Sequence, residues 1–239
     1  MINKIYKNIK LLIKLFILYI FPNASYKVGS KFWFIYSEKY FGGYKTNIKR
    51  NIVSKYDLRS KKEVSFGGMT GGDRMLIHGY AKFYVKFLKS YIEKRNSNLT
   101  ILEVGILEGT GLALWSALFP NSKILGADID LNYFQKNFLS LKSKGAFLSS
   151  DPILFNFDQL DVEAFDDFRI ENLKFDIVID DGLHSKEAIL NTLKYFFPKL
   201  NEQFVYIIED VKINLIEEIK VITKDSVVEQ FGELIVIHN

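Results

Sequence analysis

The stretch Phe175-Asp-Ile-Val-Ile-Asp-Asp-Gly-Leu-His184 decides the fold. Phe175, Ile177 and Ile179 are the aromatic and β-branched residues favoured in a buried parallel strand, and the run is too short for a core helix. It ends in Asp180, Asp181 and, past a glycine turn, His184. A second apolar run, Phe204-Val-Tyr-Ile-Ile208, ends the same way in Glu209 and Asp210. Neighbouring parallel strands lie about 4.8 Å apart, so the two ends converge their carboxylates and the imidazole on one small volume. Like charges so gathered repel unless a cation sits among them.

Outward from this stretch, strand and helix patterns alternate. Strands are expected at 100–105, 123–128, near 146–158, 175–180 and 204–209, with helices at 111–118, 131–143 and 185–197. The runs 226–231 and 233–238 flank Gly232 as a hairpin. This predicts an α/β fold, a doubly wound, mostly parallel seven-stranded sheet with one antiparallel strand from the terminal hairpin. Gly67-Gly68-Met69-Thr70-Gly71-Gly72 is a loop without the Gly-Lys-Ser/Thr ending of a nucleotide triphosphate site. Asp73 after it suits the N-cap of a helix from Arg74 to about Arg95, with His78 and Tyr80 near its start.

The chain has 239 residues, 48% hydrophobic, enough for a full core and too apolar for global disorder. It has no cysteine, which excludes disulfides, zinc-thiolate sites, iron–sulfur clusters and thiol nucleophiles and fits a cytoplasmic protein. The net charge of +4 hides a split: residues 1–62 hold fourteen Lys/Arg against two Asp/Glu, and residues 63–239 the other eighteen against twenty-six. We therefore divide the chain into a basic, aromatic N-terminal extension (1–66) and a domain (67–239). Such asymmetry points to an anionic partner for the extension. Residues 3–21 read as a basic amphipathic helix with Lys7, Lys10 and Lys14 on one face. Its apolar run, Leu15–Phe21, is far short of the ~20 residues that span a bilayer. That helix lies on an anionic membrane surface, packs on its own domain or a second subunit as in a homo-oligomer, or is a signal-like segment. Trp33, Phe34, Tyr36, Tyr40, Phe41 and Tyr44 are expected as core and rim of a cap or as sugar-stacking rings; no nucleic-acid module accompanies them.

Glu103-Val-Gly105-Ile-Leu-Glu108-Gly109-Thr-Gly111 falls at a strand-to-helix turn, where backbone approaches a ligand closely. Its glycine spacing is not that of a dinucleotide pyrophosphate site, and Glu103 and Glu108 suit a cationic or zwitterionic ligand instead. Asp128 ends the next strand, placed for ribose hydroxyls.

On these motifs, residues 99–210 resemble the class I S-adenosylmethionine-dependent methyltransferases. Within that class, Ile-Asp-Asp-Gly-Leu-His and Ile-Ile-Glu-Asp resemble the metal-dependent sugar O-methyltransferases of the macrocin and mycinamicin type. The resemblance implies that Glu103, Gly105, Glu108, Gly109, Gly111 and Asp128 bind S-adenosylmethionine. It implies that Asp158, Gln159 and Asp161 hold the adenine edge, although Phe157 stands where glycine is common. It further implies that Asp181, Glu209 and Asp210 bind Mg²⁺ (or Mn²⁺), and that His184, beside Asp181, is the catalytic base. All-oxygen ligands independently select such a hard cation over zinc. The expected activity is methyl transfer to a sugar hydroxyl of a nucleotide-sugar or surface polysaccharide precursor, in the cytoplasm or at the inner membrane face. Alternatives are another oxygen acceptor such as a phosphate-type modification or lipid head group, a nicotinamide-dependent oxidoreductase, or a non-catalytic membrane-associated partner.

Overall fold

The computed structural model describes residues 26–43, 45–48, 69–167 and 173–239, together with Phe16 and Tyr56. The helix expected over 3–21 therefore lies outside the described residues apart from Phe16. Among the described residues, no helix is long and apolar enough to cross a membrane.

Helix α1 (Lys31–Phe41), the ribbon β1 (Lys45–Ile48) and β2 (Met69–Gly71), and helices α2 (Ala81–Phe87) and α3 (Lys89–Glu93) lead into the sheet. There follow β3 (Thr100–Val104), α4 (Thr110–Leu118), β4 (Lys123–Asp128), α5 (Asn132–Ser143), β5 (Ile153–Asn156) and β6 (Phe175–Asp180). Then come α6 (Lys186–Phe196), β7 (Leu200–Ile208), α7 (Ile216–Thr223), β8 (Val227–Phe231) and β9 (Leu234–His238). The seven strands order as β5-β4-β3-β6-β7-β9-β8. β5 to β7 run parallel across the sheet, and β9 enters antiparallel between β7 and β8. The doubly wound sheet and its hairpin are thus as the alternation predicts.

The central strands read as unbroken apolar runs because both faces are covered. Alternate residues divide between the faces. Ile101, Ile177, Ile179, Val205 and Ile207 pack with Phe34, Tyr84 and Trp115 on one side. Leu102, Val178, Tyr206 and Ile208 pack with Ile189, Leu193, Phe196 and Ile219 on the other.

Four elements differ from the sequence expectation, the first being β2: Met69–Gly71, expected within a loop, pairs antiparallel with Lys45–Ile48. Residues 31–41 form a regular helix, capped by the Ser30 side chain accepting from Trp33 N–H (3.3 Å) and ended by Gly42 at φ 115°. Its Phe34 is fully buried against Tyr84 and Trp115, while Phe32 and Tyr40 stay exposed. The single helix expected from Arg74 is instead a turn followed by two short helices. Gly79 adopts φ 76°, and the Asp73 carbonyl accepts from Ile77 and His78 N–H, which folds residues 73–80 back on themselves. Asp73 turns its carboxylate to His78 (3.3 Å) rather than to a helix end. Helix α7 follows the last acidic strand end, in a stretch where no helix was expected.

Candidate active site

β3 and β6 are neighbours from which the chain winds outward in both directions, so the crevice at their carboxyl ends is where a doubly wound sheet binds ligands. The ladder continues past the strands: Asp181 N–H donates to Val104 C=O (2.8 Å) and Glu209 N–H to Asp180 C=O (2.9 Å). The acidic ends are thereby fixed side by side. Asp180 itself turns inward. It is 1% exposed and accepts from Gln159 Nε2 (2.9 Å), and burial pushes its carboxyl up to about 7. Gln159 Oε1 accepts from Leu183 N–H (2.7 Å), and a Cβ at Gly182 would collide with that amide. Gln159 is therefore a clamp under the 180–184 turn. It leaves Asp181 and His184 facing the crevice, with His184 Nε2 3.8 Å from Asp181 Oδ1. His184 (φ 59°) and Asp210 (φ 55°) both occupy the left-handed region, which costs a side-chain-bearing residue energy and clusters at functional sites.

Arg74 and Tyr84, which sequence reasoning missed, join His78 and Tyr80, which it noted near a helix start, and all four lie in the turn before α2 or on α2 itself. Arg74, 8% exposed, donates to Glu103 Oε1 (2.6 Å) and Asp181 Oδ2 (2.7 Å), and its Nε lies 3.2 Å from Glu209 Oε2. Burial disfavours its charge, but the three carboxylates outweigh that and hold the guanidinium charged. The cation demanded by the acidic cluster is thus, in part, a side chain. Tyr80 and Tyr84, one helical turn apart, donate to adjacent acids: Tyr80 to Asp210 (2.8 Å) and Tyr84 to Glu209 (2.5 Å). His78 lies between Asp73 (3.3 Å) and Asp210 (3.2 Å), and the hydrogen bond to Asp73 raises its pKa to about 9. The available signals were an Asp-Arg pair after a glycine loop and a Tyr pair at i, i+4.

These groups open on a cleft of about 320 Å³, within the range of small-molecule sites. Of the expected site residues, Glu103, Gly105, Glu108, Gly111, Asp181, His184 and Asp210 line it. Gly109, Asp128, Asp158, Gln159, Asp161 and Glu209 are outside its lining. Asp128 (3% exposed) accepts from Leu107 N–H (2.8 Å) and Asp130 N–H (3.0 Å), tying the glycine turn to β4. Asp158 accepts from Leu160 N–H (3.0 Å), and Asp161 N–H donates to Asp158 C=O (3.1 Å) within the same turn. Glu209, 1% exposed, keeps its carboxylate on Tyr84 and Arg74, and burial raises its pKa. The turn glycines are required by the protein's own packing. A Cβ at Gly105 would strike the Asp181 backbone, one at Gly109 the Phe134 ring, and one at Gly111 the Glu103 carboxylate. Glu103 is held by Arg74 and by Trp115 Nε1–H (2.8 Å).

Asp181, His184 and Asp210 each offer a ligand atom within 4.8 Å of the others. The two carboxylates at the cleft wall are ligands of the kind a hard divalent ion takes, and the imidazole beside them is placed to exchange a proton.

Sheet order, winding and the glycine turn define a Rossmann-like methyltransferase fold. The solved structure of the MycE methyltransferase of the mycinamycin biosynthetic pathway, in complex with Mg and SAH, matches it with a TM-score of 0.51 at 20% identity, over 66% of this chain and 49% of that one. Among curated proteins, the chain is 27% identical over 143 residues to mycinamicin VI 2''-O-methyltransferase of Micromonospora griseorubida, 56% of this chain and 32% of that protein. It is 26% identical over 142 residues to demethylmacrocin O-methyltransferase of Streptomyces fradiae, 56% of this chain and 32% of that protein. The chain thus spans about a third of the length of these curated relatives. No protein-family model matches it.

Proposed function

We propose that this chain is an S-adenosylmethionine-dependent O-methyltransferase whose acceptor is a sugar hydroxyl, assisted by a divalent cation. One observation carries the reading: Asp181, His184 and Asp210 converge on the cleft that the glycine turn also lines. The two curated relatives named above, both O-methyltransferases by name, support it.

Glu103, Gly105, Glu108 and Gly111 form the wall against which the cofactor lies, with Glu103 paired to Arg74 and Glu108 to Lys45. Asp181 and Asp210 would hold the cation. When bound, Mg²⁺ orients vicinal hydroxyls and makes one easier to ionise. His184 takes the proton from the attacking hydroxyl at its imidazole, and Asp181 beside it stabilises the imidazolium. Glu209, fixed on Tyr84 and Arg74, sets the rear of the site and with it the place of Asp181. The acceptor sugar belongs to a nucleotide-sugar or surface polysaccharide precursor, and the basic extension with residues 3–21 holds the protein at an anionic inner membrane face. Deleting residues 1–22 should then lower partition onto anionic vesicles; unchanged partition would remove the membrane step.

The test is transfer of labelled methyl from S-adenosylmethionine to sugar acceptors with Mg²⁺ or with EDTA. Expected are Mg²⁺-dependent turnover and a loss of about 10²–10⁴-fold in His184→Ala, with cofactor binding retained. Turnover indifferent to EDTA and to His184 would refute the mechanism.

A further inference from the structure

A second cleft, open and about 930 Å³ in volume, adjoins the active site. His78 and Lys212 line both, so the two clefts share a wall. Their charges are opposite in kind. Acids dominate the first cleft; the second presents Lys31, Lys82 and Lys212 against the single acid Glu233. Many other lysines are spoken for, Lys45 by Glu108, Lys86 by Glu229, Lys142 by Asp151 and Lys186 by Glu218. Among the described residues, Lys31 and Lys212 have no ion-pair partner, and Lys82 rests only over the Phe83 ring (4.5 Å). The cleft is also lined by aromatic rings: Tyr80, and Phe83 stacked on Phe231 at 4.6 Å.

Unpaired ammonium groups beside aromatic faces, in a space this size, suit a ligand that carries anionic oxygens and a flat or ring-shaped apolar part. A neutral glycoside can accept hydrogen bonds from those lysines but leaves their charge uncompensated. Resting on the sugar methyltransferase reading, we propose that the acceptor is a glycosyl phosphate ester. Its phosphate groups lie against Lys31, Lys82 and Lys212, and its sugar reaches over His78 to Asp181, His184 and Asp210. The esterified alcohol, a nucleoside or a prenyl chain, lies along Tyr80, Phe83 and Phe231.

Calorimetric titration of the full chain, without added metal, tests this with two probes: uridine diphosphate and geranyl phosphate. Expected is saturable binding of at least one probe, weakened tenfold or more in Lys31→Glu/Lys82→Glu and threefold or more in Lys31→Gln/Lys82→Gln. Both lysines are exposed, so neither pair of changes disturbs the core. Uridine diphosphate alone binding assigns a nucleotide carrier; geranyl phosphate alone assigns a lipid carrier. Binding of neither probe, or binding that ignores both double variants, overturns the proposal. S-adenosylhomocysteine titrated in parallel separates the two levels. Its retention while both phosphates fail leaves the methyltransferase reading intact; its failure removes that reading whatever the phosphates do.

Discussion

Arg74 touches Glu103 beneath the glycine turn, Asp181 at the end of β6 and Glu209 at the end of β7, so one guanidinium joins three strand ends. Removing one partner of such a buried network leaves uncompensated charge, typically at a cost of about 3–5 kcal/mol. Arg74→Met should lower the unfolding free energy by that order in urea titration. Arg74→Lys should recover only part, because a point charge cannot satisfy carboxylates on several sides. Equal stability of all three proteins would show that the network contributes nothing. Asp180 offers a prediction in pH. Its carboxyl is raised from 3.8 to about 7, chiefly by burial. Between those values the folded state keeps a proton that the unfolded chain releases, so this residue makes stability fall as pH rises from about 4 to about 7. Asp180→Asn should flatten that part of the curve, seen as a smaller difference between urea midpoints at pH 4.5 and pH 7.5. An unchanged difference would contradict the assignment.

At the scale of elements, the strands were legible because parallel strands buried on both faces carry continuous β-branched runs, as in Ile177–Ile179 and Val205–Ile208. The region from 73 to 95 was not. Its apolar spacing is helical, but Gly79 and the backbone bonds to Asp73 break the helix before its first expected turns. That break matters to the site: it frees Arg74 and His78 from helical geometry, while Tyr80 and Tyr84 remain one turn apart on the acids. Helix α1 was hidden for a different reason, since the basic composition around it masks the buried stripe of Phe34, Ile35 and Phe41. The glycine turn was legible as a turn, but its glycines answer to neighbours within the chain. Gly105 adopts φ 84°, and a Cβ there would run into the Asp181 carbonyl. Gly105→Ala should therefore cost more than about 1 kcal/mol and disturb the Asp181–His184 turn as well as the turn it sits in. Unaltered chemical shifts at residues 181–184 would contradict that coupling.

For the whole molecule, half of the site was readable and half was not. Asp181 and His184 are near neighbours in sequence, and Asp210 ends a strand that must pair with theirs. Arg74 reaches Asp181 across 107 residues, and no local pattern records that distance. Strand-end motifs thus disclose the acids, whereas the cation among them needs the fold. The same holds for charge: the split between a basic first quarter and an acidic remainder is plain in composition. Only the packing of α1 on helices α2 and α4 brings Lys31 to the cleft that adjoins the acidic site.

The most direct measurement is calorimetric titration of S-adenosylhomocysteine into the wild type and Asp181→Ala, with and without Mg²⁺. Micromolar binding, about −8 kcal/mol, is expected for both proteins, with a Mg²⁺ heat present in the wild type and absent from the variant. No S-adenosylhomocysteine binding to either protein would contradict the central claim that the glycine turn and the acidic strand ends form one methyltransferase site.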